Sequence, residues 1–360
     1  MRAALLHEAN KPLVIQEVQI GKPERNEVLI RTAASGLCHS DLHFVDGIYP
    51  FKPPAVLGHE SAGIVEAVGE DVRYVEPGDH VITCLTVFCG RCRSCLGGHP
   101  SLCGGSGTRR AKGAEPRLSM DGAPVTQFAN LGGFAEQMLV HENAVVKIRK
   151  DMPLDRAALI GCGVTTGVGA VTRTAAVETG SDVAVIGCGG VGLSAVNGAA
   201  LAGANRIIAV DRIAAKLDLA RNFGATHTVD ASEGDPVAQV QELSGGGVDY
   251  AFEAIGRKDT AEQAWAMLRA RGVATVIGML PMGAKIEIPG MDLLTEKRLQ
   301  GSAMGSTQFR LDMPRFVDFY LAGRLHLDEL ISRRVPLDDV NDAIAALREG
   351  YVARQVFTFD

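Results

Sequence analysis

The stretch SDVAVIGCGGVG, residues Ser181–Gly192, decides the fold of the second half of the chain. A compact apolar run leads into a Gly-x-Gly-x-x-Gly pattern made by Gly187, Gly189 and Gly192. In a strand–turn–helix unit, the first glycine permits a tight turn and the second lets the backbone approach a pyrophosphate. The third lets the helix pack close to the strand. The pattern predicts a dinucleotide site, and a glycine turn that binds nothing is the plainer alternative.

The residues after this pattern support a nucleotide site. Gly190 and Val191 begin the predicted helix, whose free N–H groups face the phosphates. The next apolar run ends at Asp211, which lies 19 residues past Gly192. A carboxylate there accepts hydrogen bonds from ribose hydroxyls and repels a 2′-phosphate. This favours NAD over NADP, although the adjacent Arg212 weakens the preference.

Strands and helices alternate on both sides of the glycine turn, which indicates a parallel sheet built from βαβ units. By contrast, roughly the first 150 residues contain short apolar runs broken by Gly and Pro, which indicates a β-rich region. The predicted strands of the second half are Ser181–Gly187, Arg206–Asp211, Thr228–Asp230, Asp249–Ile255 and Val273–Met279, and the predicted helices are Val191–Ala202, Ala214–Phe223 and Thr260–Ala270.

Length and composition are those of a soluble two-domain protein. The chain has 360 residues, of which 46% are apolar and 22% charged, and its net charge is −6. This balance argues against nucleic-acid and anionic-membrane partners, which bind clustered Lys and Arg. We find no apolar run near the roughly 20 residues that span a bilayer, and no signal-peptide pattern at the start. We therefore expect a cytoplasmic protein.

The sharpest motif is a lobe of four cysteines: Cys89-x2-Cys92-x2-Cys95-x7-Cys103. Four thiolates close a tetrahedral shell with no open position, which is typical of a structural zinc site. Free reduced thiols and an iron–sulfur cluster are the alternatives.

A second set of metal-binding residue types is scattered along the chain. Cys38 lies in GLCHSD, His59 in GHE and Cys162 in GCG. Spacing alone does not bring these three together, and a buried structural cysteine is an ordinary alternative. If they do assemble, three protein ligands leave the fourth zinc position for water or substrate.

Taken together, the motifs resemble those of the zinc-containing medium-chain alcohol dehydrogenases, over nearly the whole chain. The matching pieces are GLCHSD at 36–41, GHExxGxxxxxG at 58–69, the cysteine lobe at 89–103, GCG at 161–163, GCGGVG at 187–192 and RQVFTF at 354–359. The resemblance implies an α/β protein in which a GroES-like β-rich catalytic domain is joined to a Rossmann-fold, doubly wound parallel sheet. We place the catalytic domain at 1–163 and 304–360, with the zinc lobe at about 84–118, and the NAD-binding domain at 164–303.

The resemblance also implies roles for single residues. It makes Cys38, His59 and Cys162 the ligands of a catalytic zinc, with the four-cysteine lobe holding a second zinc. The further implied roles are transient zinc ligation for Glu60, orientation of the histidine ligand for Asp41, a proton relay for Ser40 and His43, a ribose contact for Lys216, pyrophosphate contacts for His39 and Arg354, and a pocket wall for Leu85. Without the resemblance, His39, Lys216 and Arg354 read as solvated surface groups.

The implied reaction is reversible, NAD-linked oxidation of primary or secondary alcohols through a zinc-bound alkoxide. Because Leu85 replaces a bulkier aromatic group of many relatives, we expect longer or aromatic alcohols to fit. The main alternative is a glutathione- or other thiol-dependent formaldehyde dehydrogenase. Those relatives usually lack a histidine at position 43 and carry an arginine where this chain has Gly107, although Arg109 and Arg110 lie close by. A zinc-free reductase and a non-enzymatic relative are disfavoured because none of the zinc ligands is lost.

The resemblance extends to assembly. The loop at 104–130 resembles an insertion of dimeric relatives, so a homodimer is expected and a tetramer is the alternative. We expect the segment Val273–Ile288 to supply the sheet edge at the two-fold axis.

Overall fold

A computed structural model describes residues 1–350 and 352–359, and the chain divides into two compact units. The first unit comprises Met1–Cys162, Gln308–Gly323 and Ile331–Asp360, and the second comprises Gly163–Thr307 and Arg324–Leu330. The second unit thus includes Gly163, 304–307 and 324–330, all of which the sequence prediction places in the catalytic domain or at its boundary. Residues 324–330 pack with the second unit because Asn197 donates to the Arg324 carbonyl at 3.2 Å and accepts from the His326 amide at 2.9 Å.

The chain up to Cys162 is mostly β-structure. Its strands are β1 (Arg2–Leu6), β2 (Val14–Glu17), β3 (Gln19–Ile20), β4 (Glu27–Leu37), β5 (Ala55–Val56), β6 (Glu60–Val68), β7 (His80–Thr83), β8 (Leu118–Met120), β9 (Ala123–Pro124), β10 (Thr126–Gln127), β11 (Gln137–His141) and β12 (Val145–Ile148), and its α-helices are α1 (His39–Val45), α2 (Arg93–Leu96) and α3 (Leu154–Leu159).

Strands and helices alternate in the second half, as the sequence predicts. The elements are α4 (Thr165–Gly169), β13 (Asp182–Ile186), α5 (Gly190–Ala202), β14 (Arg206–Asp211), α6 (Ala214–Asn222), β15 (His227–Asp230), α7 (Pro236–Ser244), β16 (Val248–Glu253), α8 (Lys258–Ala266), β17 (Leu268–Val276) and β18 (Arg298–Gly301). The chain ends with α9 (Phe309–Leu321), β19 (Ile331–Val335), α10 (Val340–Glu349) and β20 (Arg354–Thr358).

The long strand β4 organises the first unit. It pairs antiparallel with β6, β11 and β20 in a sheet whose order is β12-β7-β6-β4-β20-β19. Its side chains are mostly buried because both neighbours and the packing helices cover it. Pairing of Gly36 with Glu60 in the β4–β6 register brings the residues after β4 close to those before β6.

The second unit is a six-stranded parallel sheet in the order β15-β14-β13-β16-β17-β18. The chain turns outward from β13 in both directions, so the carboxyl end of β13 lies at the topological switch point. Ligands of open α/β sheets bind at such a point. The mixed α/β architecture and the parallel sheet are therefore confirmed.

The second half departs from the sequence predictions in two details. The predicted helix Thr260–Ala270 ends at Ala266, because a strand begins at Leu268 and pairs with β16. The helix α7 is not among the predicted helices. Within one chain, Val273–Val276 pairs with strands on both sides and β18 is the edge strand of the described sheet, and the role of Val273–Ile288 at a two-fold axis stays a prediction.

One helical run of the described chain is long and apolar enough to meet the length and composition criteria for a membrane span. The continuous helical run Leu154–Thr174 has 21 residues and a mean hydropathy of 1.2 in its most apolar window. However, 83% of that window is buried inside the protein, which is how a core helix of a soluble protein behaves.

The glycine-rich loop at 104–118 is anchored by a buried ion pair. Glu27 accepts hydrogen bonds from Arg110 at 2.6 Å and from Arg117 at 2.7 Å, and its side chain is 4% exposed. Arg110 also donates to the Lys22 carbonyl at 2.8 Å. Its donors are therefore occupied inside the protein, which argues against a role in binding an external anion.

Candidate metal and cofactor sites

The first unit contains a buried cluster of metal-binding side chains. Ligand atoms of Cys38, His59, Glu60 and Cys162 lie within 4.8 Å of one another. All four side chains are buried. The structure thus brings together the three scattered residues that the spacing alone could not assemble.

Local structure explains why these side chains converge. Cys38 is the N-cap of α1, directly after β4, and His59 and Glu60 come where β6 begins. Cys162 lies in Ile160–Val164, a wider π-helical turn that follows α3. Two adjacent strand ends and one irregular helical turn therefore meet at one point, as is common for functional sites.

Asp41 fixes the geometry of this cluster. One of its carboxylate oxygens accepts from Nδ1 of His59 and from the Gly58 amide, each at 3.1 Å, and the other accepts from the Cys38 amide at 3.1 Å. The bond to Nδ1 holds that nitrogen protonated, so Nε2 carries the lone pair whenever the ring is neutral, which is the form that binds a metal. Burial lowers the pKa of His59, but the Asp41 carboxylate raises it well above the usual value.

Nε2 of His59 is buried and has no hydrogen-bond partner among the described residues. An unpaired buried nitrogen is costly, and it needs an explanation such as an ion. With two thiols beside it, the donor set is the Cys2His type of catalytic zinc sites. The residues present therefore fit a zinc ion, with Cys38, His59 and Cys162 as ligands.

The Arg354 side chain, predicted to contact pyrophosphate, lies inside this cluster. It is 4% exposed, its Nε lies 3.2 Å from Glu60 and it donates to the Cys38 sulfur at 3.8 Å. The interpretation of Arg354 as a solvated surface group is therefore wrong, because its side chain is buried. A buried charge needs an ionic partner, and Glu60 is that partner. The pyrophosphate contact stays a prediction.

Charge in the cluster shifts the acidity of its members. Burial raises the pKa of Glu60 to about 7, against the lowering effect of Arg354. The hydrogen bond from Cys162 and the Arg354 guanidinium hold the pKa of the Cys38 thiol well below its usual value. A thiolate is the form that ligates metal, so the protein environment prepares Cys38 for that state.

The two residues of the predicted relay lie on α1 next to the cluster. Ser40 is half-buried, and the Cys38 sulfur lies 3.8 Å from its hydroxyl. The His43 side chain is half-buried, and its Nδ1 is enclosed with no hydrogen-bond partner among the described residues. His39 is exposed.

The four-cysteine lobe forms a second compact cluster. The sulfurs of Cys89, Cys92, Cys95 and Cys103 lie within 4.8 Å of one another, with 3.5 Å between Cys92 and Cys95. Backbone N–H groups point at the sulfurs, including those of Cys89 and Gly105 toward Cys103 at 3.2 and 3.3 Å. Amide donors stabilise thiolates, so four thiolates around one tetrahedral zinc fit this lobe.

In the second unit, the glycine turn has the predicted form. A Cβ on Gly192 would lie 1.6 Å from the Gly187 carbonyl oxygen, so only glycine lets α5 pack there. A Cβ on Gly189, the N-cap of α5, would meet no atom within 4 Å. That open space is what a pyrophosphate needs beside a helix N-terminus that begins with Gly190 and Val191.

Asp211 lies at the carboxyl end of β14 beside this turn. Its carboxylate accepts from the Cys188 amide at 2.7 Å and from the Ile213 amide at 3.1 Å, so its position is fixed. Lys216 is half-buried in the first turn of α6. In the first unit, Leu85 packs against an apolar cluster, and its role as a pocket wall stays a prediction.

Sequence reasoning missed two features of the site. It did not find the pairing of Arg354 with Glu60, although both residues were named, because 294 positions separate them. It also missed a row of aromatic rings between His43 and His59. Phe44 and Tyr49 near GLCHSD were the available signal, since aromatic side chains around a histidine often pack on it.

Comparison with known proteins agrees with this geometry. Residues 24–150 match the family model described as an alcohol dehydrogenase GroES-like domain, and residues 190–322 match a zinc-binding dehydrogenase. A curated relative, alcohol dehydrogenase class-3 from Zea mays, is 40% identical over 99% of this chain and 96% of its own length.

Two solved structures are similar over the whole chain. An alcohol dehydrogenase zinc-binding domain protein from Burkholderia ambifaria has a TM-score of 0.95 and 38% identity, covering 100% of this chain and 98% of its own. Benzyl alcohol dehydrogenase from Acinetobacter calcoaceticus has a TM-score of 0.94 and 33% identity, covering 100% and 99%.

Proposed function

Because this chain belongs to the zinc-dependent medium-chain alcohol dehydrogenases, we propose that it oxidises primary and secondary alcohols, including aromatic and longer-chain ones, to aldehydes and ketones with NAD. The observation that carries the proposal is the buried Cys38, His59 and Cys162 cluster with its unpaired histidine nitrogen. Three ligands leave one metal position for a substrate oxygen. The similarity to a benzyl alcohol dehydrogenase supports aromatic substrates.

The protein's own residues hold the metal, orient its histidine ligand and carry away the proton of the alcohol. When bound, zinc supplies Lewis acidity that favours alkoxide over alcohol, and NAD accepts the hydride. Cys38, His59 and Cys162 would hold the metal, and Asp41 orients the histidine through its Nδ1. Glu60 adds a carboxylate beside the ligands and is held by Arg354.

The proton of the alcohol must leave a buried site, and we assign its transfer to Ser40 and His43. His43 Nδ1 is enclosed without a protein partner, which suits a nitrogen that exchanges protons with a bound molecule. We expect His43→Gln to lower alcohol oxidation about 10- to 100-fold at neutral pH, with partial rescue by an added amine base. An unchanged pH–rate profile would rule out this relay.

The first experiment combines elemental analysis with activity. Zinc per chain is measured beside NADH formation from benzyl alcohol, hexanol and ethanol, each with and without glutathione. Two zincs and turnover without glutathione would support the proposal. One zinc and no turnover would show that the assignment of Cys38, His59 and Cys162 is wrong.

Oxidation of a thiol adduct of formaldehyde is the second candidate, and the class-3 name of the curated relatives favours it. An anionic thiol such as glutathione needs a basic group near the pocket. Arg110 is occupied by Glu27, which leaves the exposed Arg109 on that loop. Turnover only with formaldehyde plus glutathione would establish this second function.

We also propose a homodimer in the cytoplasm. The edge strand β18 has no neighbour on its outer side within the described sheet. Large apolar side chains lie exposed between β17 and β18, including Met282 at 76% and Leu294 at 77%. Exposed apolar surface beside an open edge favours association with a second copy. A tetramer mass in gel filtration would contradict the dimer.

The cysteines support the cytoplasmic location. All eight are unpaired, as expected in a reducing compartment.

A further inference from the structure

We propose that Tyr49 is a positioning residue for proton transfer, because its ring stacks on the His43 imidazole and holds it in the orientation that the relay needs. This inference rests on the proposed function, since it concerns the same relay.

The backbone after α1 folds Tyr49 back over His43. The amides of Ile48 and Tyr49 both donate to the His43 carbonyl oxygen, at 2.9 and 3.4 Å. The two rings are nearly parallel, with 10° between their planes and 5.7 Å between their centroids. The stack therefore follows from a turn that is hydrogen-bonded to His43 itself.

Stacking matters here because no described protein group anchors Nδ1 of His43. In the cluster next to it, the equivalent nitrogen of His59 is fixed by a carboxylate, Asp41. A histidine that takes up a proton at one ring nitrogen and releases it from the other needs both nitrogens accessible, so a contact with the ring face is a restraint compatible with that task. Packing against one ring face restricts the imidazole without occupying either nitrogen.

Tyr49 is itself braced by other rings. Its centroid lies 5.9 Å from that of Phe44, which lies 4.4 Å from that of Phe128. Phe128 meets the edge of His59 at 5.3 Å. A continuous row of rings thus joins the relay histidine to the metal-site histidine, so the stack is part of a packed wall.

Removing the ring should free the imidazole to rotate. We expect Tyr49→Leu to lower kcat for benzyl alcohol about three- to ten-fold at neutral pH, because an aromatic pair of this kind adds that much to holding one orientation. The KM for NAD should change little. Added amine base should restore part of the rate, because a free base can take over proton transfer from a misaligned histidine. It would not restore the activity of a variant that fails to fold.

Three comparison variants test this role. Phe51→Leu is the matched control, since Phe51 is an aromatic residue of the same segment that packs against the apolar core, whereas the ring stacked on His43 is that of Tyr49. Tyr49→Phe should recover most of what Tyr49→Leu loses. Tyr49→Met provides a second ring-free variant if the leucine variant does not fold, because an unbranched side chain refills a ring-shaped gap more easily. Zinc content and Tm are measured for every variant.

The decisive measurement is the double variant. In the His43→Gln background, Tyr49→Leu should cause no further loss, because there is no imidazole left to orient. An equal loss in both backgrounds, or no loss in the wild-type background, would overturn the role of Tyr49 while the relay stands. No effect of His43→Gln alone would overturn both the relay and this inference.

Discussion

Asp41 is the best place to test how the protein holds its metal ligands. Its carboxylate accepts three hydrogen bonds of 3.1 Å, from His59 Nδ1, from the Gly58 amide and from the Cys38 amide. The residue is completely buried, so no solvent can replace a lost acceptor. We therefore consider Asp41→Asn, which keeps the shape and removes the charge.

The size of the effect follows from counting acceptors. An amide has one oxygen, which can serve His59 and Gly58, and its NH2 group then faces the Cys38 amide. Leaving a buried N–H unpaired costs about 1–3 kcal/mol. Loss of an outer partner of a metal-bound histidine lowers metal affinity about 10- to 100-fold, or about 1.4–2.7 kcal/mol. Since the two ranges overlap, we expect the catalytic zinc to bind about 10- to 100-fold more weakly.

Zinc competition with a colorimetric chelator measures this change. One zinc per chain should leave at lower chelator concentration in Asp41→Asn, while the four-cysteine zinc remains. Asp151→Asn is the matched control, because it makes the same change of side chain at an exposed partner of Arg149. Equal zinc retention by wild type and Asp41→Asn would refute the reasoning.

Three further predictions concern stability, the second zinc and the cofactor. Glu27→Gln should lower the free energy of unfolding by about 3 kcal/mol at pH 7, because it breaks a buried ion pair. Burial raises the pKa of Glu27 but Arg110 and Arg117 hold it below its usual value, so the stability it adds is present above about pH 4.5 and lost below. The difference between wild type and variant, measured by urea unfolding, should therefore shrink on acidification below that pH. Cys95→Ser should reduce zinc from two to one per chain and lower Tm, and retention of two zincs by elemental analysis would contradict the lobe assignment. Asp211→Ala should lower kcat/KM with NAD about ten-fold, because it removes the acceptor for the ribose hydroxyls and leaves two backbone amides unpaired. The ratio of kcat/KM with NAD to kcat/KM with NADP should fall as well, and an unchanged ratio would count against this role of Asp211.

Local chemistry explains what the sequence predicts well. The glycine turn, α5 and the end of β14 depend on contacts within about 30 residues, so a pattern of apolar runs and glycines is enough to place Gly192 and Asp211. The four-cysteine lobe is equally local. By contrast, Cys38 and Cys162 are far apart in sequence and meet only through the β4–β6 register and a π-helical turn, which no spacing reveals.

The last strand of the parallel sheet is also beyond what the sequence predicts. Val273–Val276 is rich in β-branched residues, so the sequence predicts a strand correctly. The strand that pairs beyond it, β18, has four residues and no apolar run. An edge strand buries less apolar side-chain area than a central one, so the composition of β18 gives little signal and the sequence predictions do not include it.

Two of the three histidine nitrogens that the described part of the first unit buries without a hydrogen-bond partner belong to this site: Nε2 of His59 and Nδ1 of His43, the third being Nδ1 of His80. Each would cost free energy in a protein selected only for stability, since buried polar atoms are nearly always hydrogen-bonded. The surroundings treat the two rings differently. Asp41 fixes the first through a hydrogen bond, whereas Tyr49 restrains the second only by stacking. A metal ligand needs a fixed lone pair and a proton carrier needs a free one, so the two kinds of restraint match two different tasks at one site.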